Sequence, residues 1–296
     1  MIKYWNIIKE AYLGYASYFW NEITFNYTYK PWWENYFWML IAVSLFFLAL
    51  EWLKPWREDQ PKFRKDFWLD AFYMFFNFFL FSLIFYNALS NVVVNLFNDF
   101  LGIFGLTNIV ALQIDSWPRW GQLLTLFLVR DFVHWNVHRL LHRVPFLWEF
   151  HKVHHSVEQM GFAAHLRYHW MENVVYKTLE YIPLAMIGFG IDDFFIVHML
   201  ATAVGHWNHA NFTANIGPFK YLLNNPSMHI WHHAYYIPEE RKFGVNFGLT
   251  LSVWDYIFGT AYIPHNGRDI RLGFPGIEKF PKKFVDQNLH GFSGKP

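Results

Sequence analysis

Cysteine is absent from this 296-residue chain. That excludes disulfides, thiolate metal sites, iron–sulfur clusters and a cysteine nucleophile. Any metal chemistry must use imidazole, carboxylate or water. Charge is scarce as well. Asp, Glu, Lys and Arg make up 16% of the residues, against about 25% in soluble domains, too few to cover the outside of an ordinary soluble enzyme. The formal net charge is +1, so there is no polyanion-binding signal and nucleic acid is not an expected partner. Internal repeats and low-complexity tracts are missing. Met1 to Trp20 lacks the basic-then-apolar-then-small order of a cleavable signal peptide. What the chain has in excess is aromatic side chains, at 23%, and histidine, with sixteen residues. The aromatic surplus rules out disorder, because such a chain can bury ample apolar surface.

The apolar segments have membrane lengths. Ala71 to Asn98 carries no charged residue and would extend about 42 Å as one helix, more than the ~30 Å hydrocarbon core requires. Tyr36 to Leu53 is flanked by Trp32, Trp33, Trp52 and Trp56, as in an interfacial aromatic belt. A third span runs from about Trp117 to Trp135. Val174 to Val204 reads as a helical hairpin with Gly188, Gly190, Asp192 and Asp193 at its tip. Lys54, Arg57, Lys62, Arg64 and Lys65 crowd the loop after the first span, and Arg139, Arg143, Lys152 and Arg167 follow the third. The positive-inside rule puts these segments in the cytoplasm and the N-terminus outside. Residues 1–33 are expected along the interface, and the Gly-, Pro- and Lys-rich residues 264–296 as a surface tail.

Four histidine clusters fall on the inferred cytoplasmic side: His134, His138 and His142; His151, His154 and His155; His206 and His209; and His229, His232 and His233. The i, i+4, i+8 spacing of the first lines one helical face. The HxxHH pattern occurs twice, and on a helix it brings two or three nitrogens together. Stacked imidazoles would repel once protonated and have little reason to recur without a metal. Ten imidazoles, His138, His142, His151, His154, His155, His206, His209, His229, His232 and His233, exceed what one ion can take, so two metals with about five ligands each fit the count. Imidazole suits Zn, Cu, Fe and Ni. Asp131, Glu172, Asp255 and backbone carbonyls are candidates to hold the distal ring N–H groups. His198 reads as a core residue, and His265 and His290 as surface residues. The roles of His134, His165 and His169 stay open. The predicted fold is all-α, with polytopic membrane helices and a cytosolic helical cap carrying a histidine-rich di-metal site.

Asp131–His155, with His229–His233 and the later Trp254–Thr260, resembles the fatty acid hydroxylase superfamily, also called the sterol desaturase family. His138 and His142 match its HxxxH box. His151, His154 and His155 match the first HxxHH, and His229, His232 and His233 the second. His209-Ala210-Asn211 resembles an intermediate box with His206 one turn before it, Arg167-x-His169 with Glu172 an Arg-x-His…Glu element, and Asn246-Phe247-Gly248 an Asn-Tyr-Gly element with Phe for Tyr. His134 stands where many members carry an aromatic residue. The resemblance covers roughly residues 120–263, leaving 1–119 as an N-terminal membrane region. It implies a membrane-bound enzyme of the bacterial inner membrane or endoplasmic reticulum. Such an enzyme uses O2 and a di-iron centre to hydroxylate or desaturate an acyl, sterol or isoprenoid lipid. Zinc would replace iron readily in purified protein, since divalent affinity places Zn²⁺ above Fe²⁺.

The reaction consumes electrons, and the sequence shows no dinucleotide fingerprint and no appended haem-binding domain. Gly188-Phe189-Gly190 lies in the hairpin rather than after a strand. A separate donor is therefore expected, a ferredoxin or a b-type cytochrome with its reductase. Two readings from other classes compete. A divalent-metal transporter or sensor would place its ligands near the bilayer midplane, where only His198 lies. A catalytically inactive lipid-binding relative would have lost a box histidine, and none is missing.

Overall fold

The computed structural model describes all residues except 1, 29, 83, 85–86, 107–113, 188, 190 and 294–296. Among the described residues the chain is helical, with two isolated bridges, Leu223 to Leu251 and Ala234 to Leu272, and no strand. The α-helices are α1 (Ile2–Thr24), α2 (Tyr36–Leu53), α3 (Phe67–Phe75), α4 (Asn87–Ile103), α5 (Arg119–Arg143), α6 (Pro145–His155), α7 (Trp170–Ile187), α8 (Ile191–His209), α9 (Pro226–His232), α10 (Val253–Ile257) and α11 (Phe284–His290).

The first expected span is α2, a helix long and apolar enough to cross a membrane. Asn35 caps it, accepting from Trp38 N at 2.9 Å while its amide donates to the Glu22 carbonyl at 2.8 Å, so the cap also fixes how α1 meets α2. The second expected span covers the end of α3, a π-helical turn over Phe76–Leu80 and most of α4, with residues 83 and 85–86 outside the described residues. Asn77 supplies a physical reason: buried inside this turn, its amide donates to the carbonyls of Leu166 and Tyr168 at 3.0 and 2.9 Å. Polar insertions of this kind go with π-bulges. Outward-facing residues of α4, among them Val93, Val94, Phe97 and Phe100, are exposed, an apolar surface suited to lipid. α1 lies against α4, with Lys3 bonded to Asp99 at 2.8 Å.

The expected third span falls in α5 and the expected hairpin in α7 and α8, whose buried Leu126, Leu184 and Val197 share one core cluster; among the described residues α2 is the one helix long and apolar enough to cross a membrane. Gly188 and Gly190 of the expected hairpin tip lie outside the described residues. Arg119 at the start of α5 pairs with Asp193 at the start of α8, so these two helix starts lie at the same level. α5 extends past the expected span to Arg143, where Pro145 at the first position of α6 ends it. The chain turns back on itself there, bringing the two faces that carry histidines opposite each other.

The expected surface tail instead packs inward. Phe274, Ile277 and Phe280 form a core with Tyr73 and Val153. Gln287 accepts from the Tyr73 hydroxyl at 2.9 Å, and the Asn288 amide donates to the same hydroxyl at 2.9 Å.

Asp70 of α3 joins the N-terminal region to the histidine-bearing part. It accepts from Arg64 at 2.5 Å and from Arg167 at 3.0 Å, all three side chains being almost fully buried. Removing one member of a buried charge network leaves the others uncompensated, at a cost of about 3–5 kcal/mol. We predict that Asp70→Ala lowers the thermal unfolding midpoint of the detergent-solubilised protein sharply. An unchanged midpoint would show that the network carries no net stability.

Candidate metal centre

Nine histidines converge into two groups. His138, His142, His151, His155 and His232 form one; His154, His209, His229 and His233 form the other. Within each group the candidate ligand nitrogens lie within 4.8 Å of one another. The HxxHH boxes divide between them in opposite senses. α6 sends its i, i+4 pair, His151 and His155, to the first group and His154 to the second. α9 with its C-cap sends His229 and His233 to the second and His232 to the first. α5 adds His138 and His142 to the first, and α8 adds His209 to the second.

Hydrogen bonds at the opposite ring nitrogen set the tautomers. Nδ1 of His138 donates to the Phe247 carbonyl at 2.8 Å, His232 to Val245 at 2.8 Å, His154 to Arg167 at 3.0 Å and His209 to Gly205 at 2.8 Å. His151 Nδ1 donates to Glu172 at 2.7 Å. Each of these rings therefore presents a bare Nε2. Two such nitrogens, on His138 and His151, face one another at 3.2 Å; those of His154 and His209 lie 3.3 Å apart. Nε2 of His142, His155 and His232 is buried with no partner. Lone pairs aimed at one another in a dry interior repel unless a cation lies among them. Nitrogens sharing one ion at 2.0–2.1 Å lie roughly 3–4 Å apart, as the closest pairs here do at 3.1–3.3 Å. The donor set fits two nitrogen-ligated metal ions.

His206 of the ten expected ligands lies in neither group. Its Nδ1 is 2.9 Å from His165 Nδ1, and its Nε2 is 3.2 Å from the Ser44 hydroxyl. His165 packs so closely on Gly205 that a Cβ there would fall 2.2 Å from its ring. His169 donates to the Asn288 carbonyl at 2.8 Å. His134 bonds Glu180 at 2.6 Å and stacks on Tyr176.

The carboxylates act mostly one step further back than the sequence suggested. Of Asp131, Glu172 and Asp255, Glu172 alone bonds a ring directly. Asp131, a candidate to hold a ring N–H, instead accepts from the backbone N–H of Thr250 and Leu251 at 3.2 Å each and from Trp254 at 2.9 Å. Asp255 accepts from Trp135 Nε1 and from the backbone N–H of Phe247 and Gly248 at 2.8–2.9 Å, so it fixes the carbonyl that holds His138. Gly248 is required there, since a Cβ would lie 2.4 Å from the Leu251 carbonyl oxygen. Glu51 of α2 was missed in the sequence. It accepts from the N–H of Phe162 and Asn211 at 2.7 Å each, tying the first span to the end of α8. Its only signal was an acid near the end of an apolar run.

Burial pushes all nine rings below the ordinary histidine value, and for eight of them neighbouring imidazoles add to the effect; His154 is brought down to about 4. The nine are neutral at neutral pH, as ligands must be. Unfolded histidines take up protons near 6.5, before the folded ones do. Stability from this cluster is thus complete above about pH 6.5 and falls as the pH drops toward the folded value, near 4 for His154. We predict that unfolding midpoints hold steady from pH 8 to 7 and decline from pH 6.5 to 4. A decline confined to alkaline pH would contradict the assignment.

Residues 123–260 match the fatty acid hydroxylase family. The chain is 29% identical over 181 residues to the ornithine lipid hydroxylase OlsE of Rhizobium tropici, covering 61% of this chain and 53% of that protein. It is 32% identical over 169 residues to an alkylglycerol monooxygenase of Xenopus tropicalis, covering 56% and 35%. With a very-long-chain aldehyde decarbonylase, GL1-10 of Oryza sativa, it shares 28% over 143 residues, 47% and 46% of the two chains. The chain spans about half the length of these relatives or less. No solved structure matches. The family match over residues 123–260 and these relatives are similarities that agree with the resemblance carried by the histidine motifs.

Proposed function

We propose that this protein is a membrane-bound, O2-dependent lipid hydroxylase with two iron ions held by the nine convergent histidines. The observation that carries the reading is the two groups of bare, buried imidazole nitrogens. Iron rather than zinc suits the reaction, since attack on an unactivated C–H bond needs a metal that changes oxidation state, and bound iron supplies that chemistry with O2. The chain's own groups do the rest. Glu172 and the carbonyls of Phe247, Val245, Arg167 and Gly205 hold five of the nine rings in one tautomer. The Phe247 ring lies 5.2–5.7 Å from His138, His142 and His232 and keeps water from that side of the first group.

The substrate is a lipid reaching the site from the bilayer, a reading supported by α2 and the apolar surface of α4 and by the lipid-directed names of the relatives. Hydroxylation is favoured over desaturation because two of the relatives reported above are named hydroxylase or monooxygenase. A separate donor, a ferredoxin or a b-type cytochrome with its reductase, supplies the electrons. The histidine centre faces the cytoplasm, and 120–263 is the catalytic domain.

Elemental analysis of detergent-purified protein should find close to two metals per chain, iron or zinc. His232→Ala leaves four candidate ligands in its group, so metal content should fall modestly while product formation per folded chain falls by at least two orders of magnitude, the scale seen when a catalytic group is lost. Well under one metal per chain with activity retained overturns the proposal. Because the wild type has no cysteine, orientation can be read separately. Cysteines introduced at Lys62 and Lys152 should resist impermeant maleimide in intact cells, and labelling of either would invert the topology.

A further inference from the structure

A second feature lies away from the histidine groups, on the other side of α9. The turn at 217–222, α10 and the loop at 260–266 enclose a cavity of about 390 Å³, lined in part by Lys220, Tyr221, Ser227, Tyr256 and Tyr262. Neither the Lys220 ammonium nor the hydroxyl of any of these residues has a hydrogen-bond partner among the described residues. Lys220 instead sits over the Tyr221 ring at 5.1 Å.

The cavity's height in the fold is fixed by α5. Phe258, just after α10, packs on Phe132 and Trp135 of α5, near the end of the third span. One to two turns further into that span, Leu124 and Leu128 are exposed. Ile257 and Phe258 are exposed too, and Phe219 and Leu222 of the adjoining turn are likewise uncovered. The turn is held against α10 by Ser252 N bonding the Leu222 carbonyl at 3.0 Å and by the ring contact of Tyr221 with Tyr256. The exposed apolar strip of α5 thus continues onto α10 and the turn. With α5 as the proposed third span, the cavity opens behind that edge at the depth of a headgroup, where tyrosine, with an apolar body and a polar tip, is favoured.

The geometry points to a binding site for a bilayer lipid with an anionic headgroup. The phosphate or carboxylate lies against Lys220 and the tyrosine and serine hydroxyls, and the chains lie along Phe219, Leu222, Ile257 and Phe258. A single uncompensated cation among neutral donors selects an anion, and the apolar rim selects a lipid over a free ion. This site is separate from the metal centre and does not depend on the reaction proposed above.

Two measurements on the full chain test it. In nanodiscs, bimane on Ile257→Cys should be quenched by lipids brominated in the acyl chain, and bimane on Asp269→Cys, on an exposed polar loop, should not. In native mass spectrometry with phosphatidylglycerol as probe, Lys220→Gln should retain roughly five-fold less lipid than wild type, the loss expected for one basic contact at an anionic surface, while Lys242→Gln retains as much as wild type. Equal quenching at 257 and 269, unchanged retention in Lys220→Gln, equal retention of phosphatidylcholine, or displacement by millimolar inorganic phosphate would each overturn the proposal. Lys220 is exposed on a turn, so its substitution leaves the fold intact, and a size-exclusion profile checks this.

Discussion

Nine imidazoles share one dry interior under a single constraint: each ring must be neutral and must turn a bare nitrogen toward its group. Burial enforces the first condition, since a charged ring there is heavily penalised. The second needs an acceptor on the far side of the ring, and for His138, His232, His154 and His209 that acceptor is a main-chain carbonyl. Carbonyls are suited to this role because they accept without adding charge. Only His151 uses a carboxylate, Glu172, which burial pushes well above the ordinary carboxylate range. The architecture around the centre follows from the need to hold those carbonyls still. Asp255 fixes Phe247, Asn246 bonds the Met228 and Tyr262 carbonyls at 2.8 Å each, and Arg167 is clamped between Asp66, Asp70 and Ser156.

The crossed division of the two HxxHH boxes follows from helical geometry. Residues i and i+4 lie on one face, whereas i+3 and i+4 differ by about 100° around the axis. A helix passing between two groups can give its i, i+4 pair to one side and its i+3 residue to the other. α6 and α9 do this in opposite senses, so each box contributes to both groups. A one-residue shift of either helix would misplace ligands in both. Pro at the first helical position of α6, and Pro226 with Asn225 as N-cap of α9, set where each helix begins and hence which residues face which way.

Much of this was legible in the sequence. Histidine spacing announced the face of each helix, and the count of ten clustered imidazoles exceeded what one ion can take. α2 follows Tyr36–Leu53 because its apolar run has capped and charged ends. Other features were not legible. The π-helical turn after α3 accompanies Asn77 reaching carbonyls some ninety residues away, which no local window reveals. His206 shares its helix and its apparent motif with His209, but three residues turn it toward Ser44 and His165 instead. Asp131 and Asp255 look like ring partners because both are acids near histidines. Their actual partners are backbone N–H groups of the loop at 247–251 and the indole N–H groups of Trp135 and Trp254, which carry no signature in sequence.

The same reasoning bears on how far the functional unit extends. The histidine motifs lie between 138 and 233, yet the groups that hold them do not. Glu51 secures the turn at 162 and the end of α8, Asp70 secures Arg167, and the carbonyl of Asn288 fixes His169 two residues from Arg167. Tyr73 bridges α3 to Gln287 and Asn288 of α11. These contacts join the first apolar helices and the last helix to opposite sides of the centre. Buried polar networks are costly when only partly satisfied, so neither segment can be removed without leaving Arg167, His169 or Tyr73 short of partners. The nine ligand rings are therefore positioned by nearly the whole chain, and a boundary drawn at the edges of the histidine motifs would separate the centre from what holds it in register.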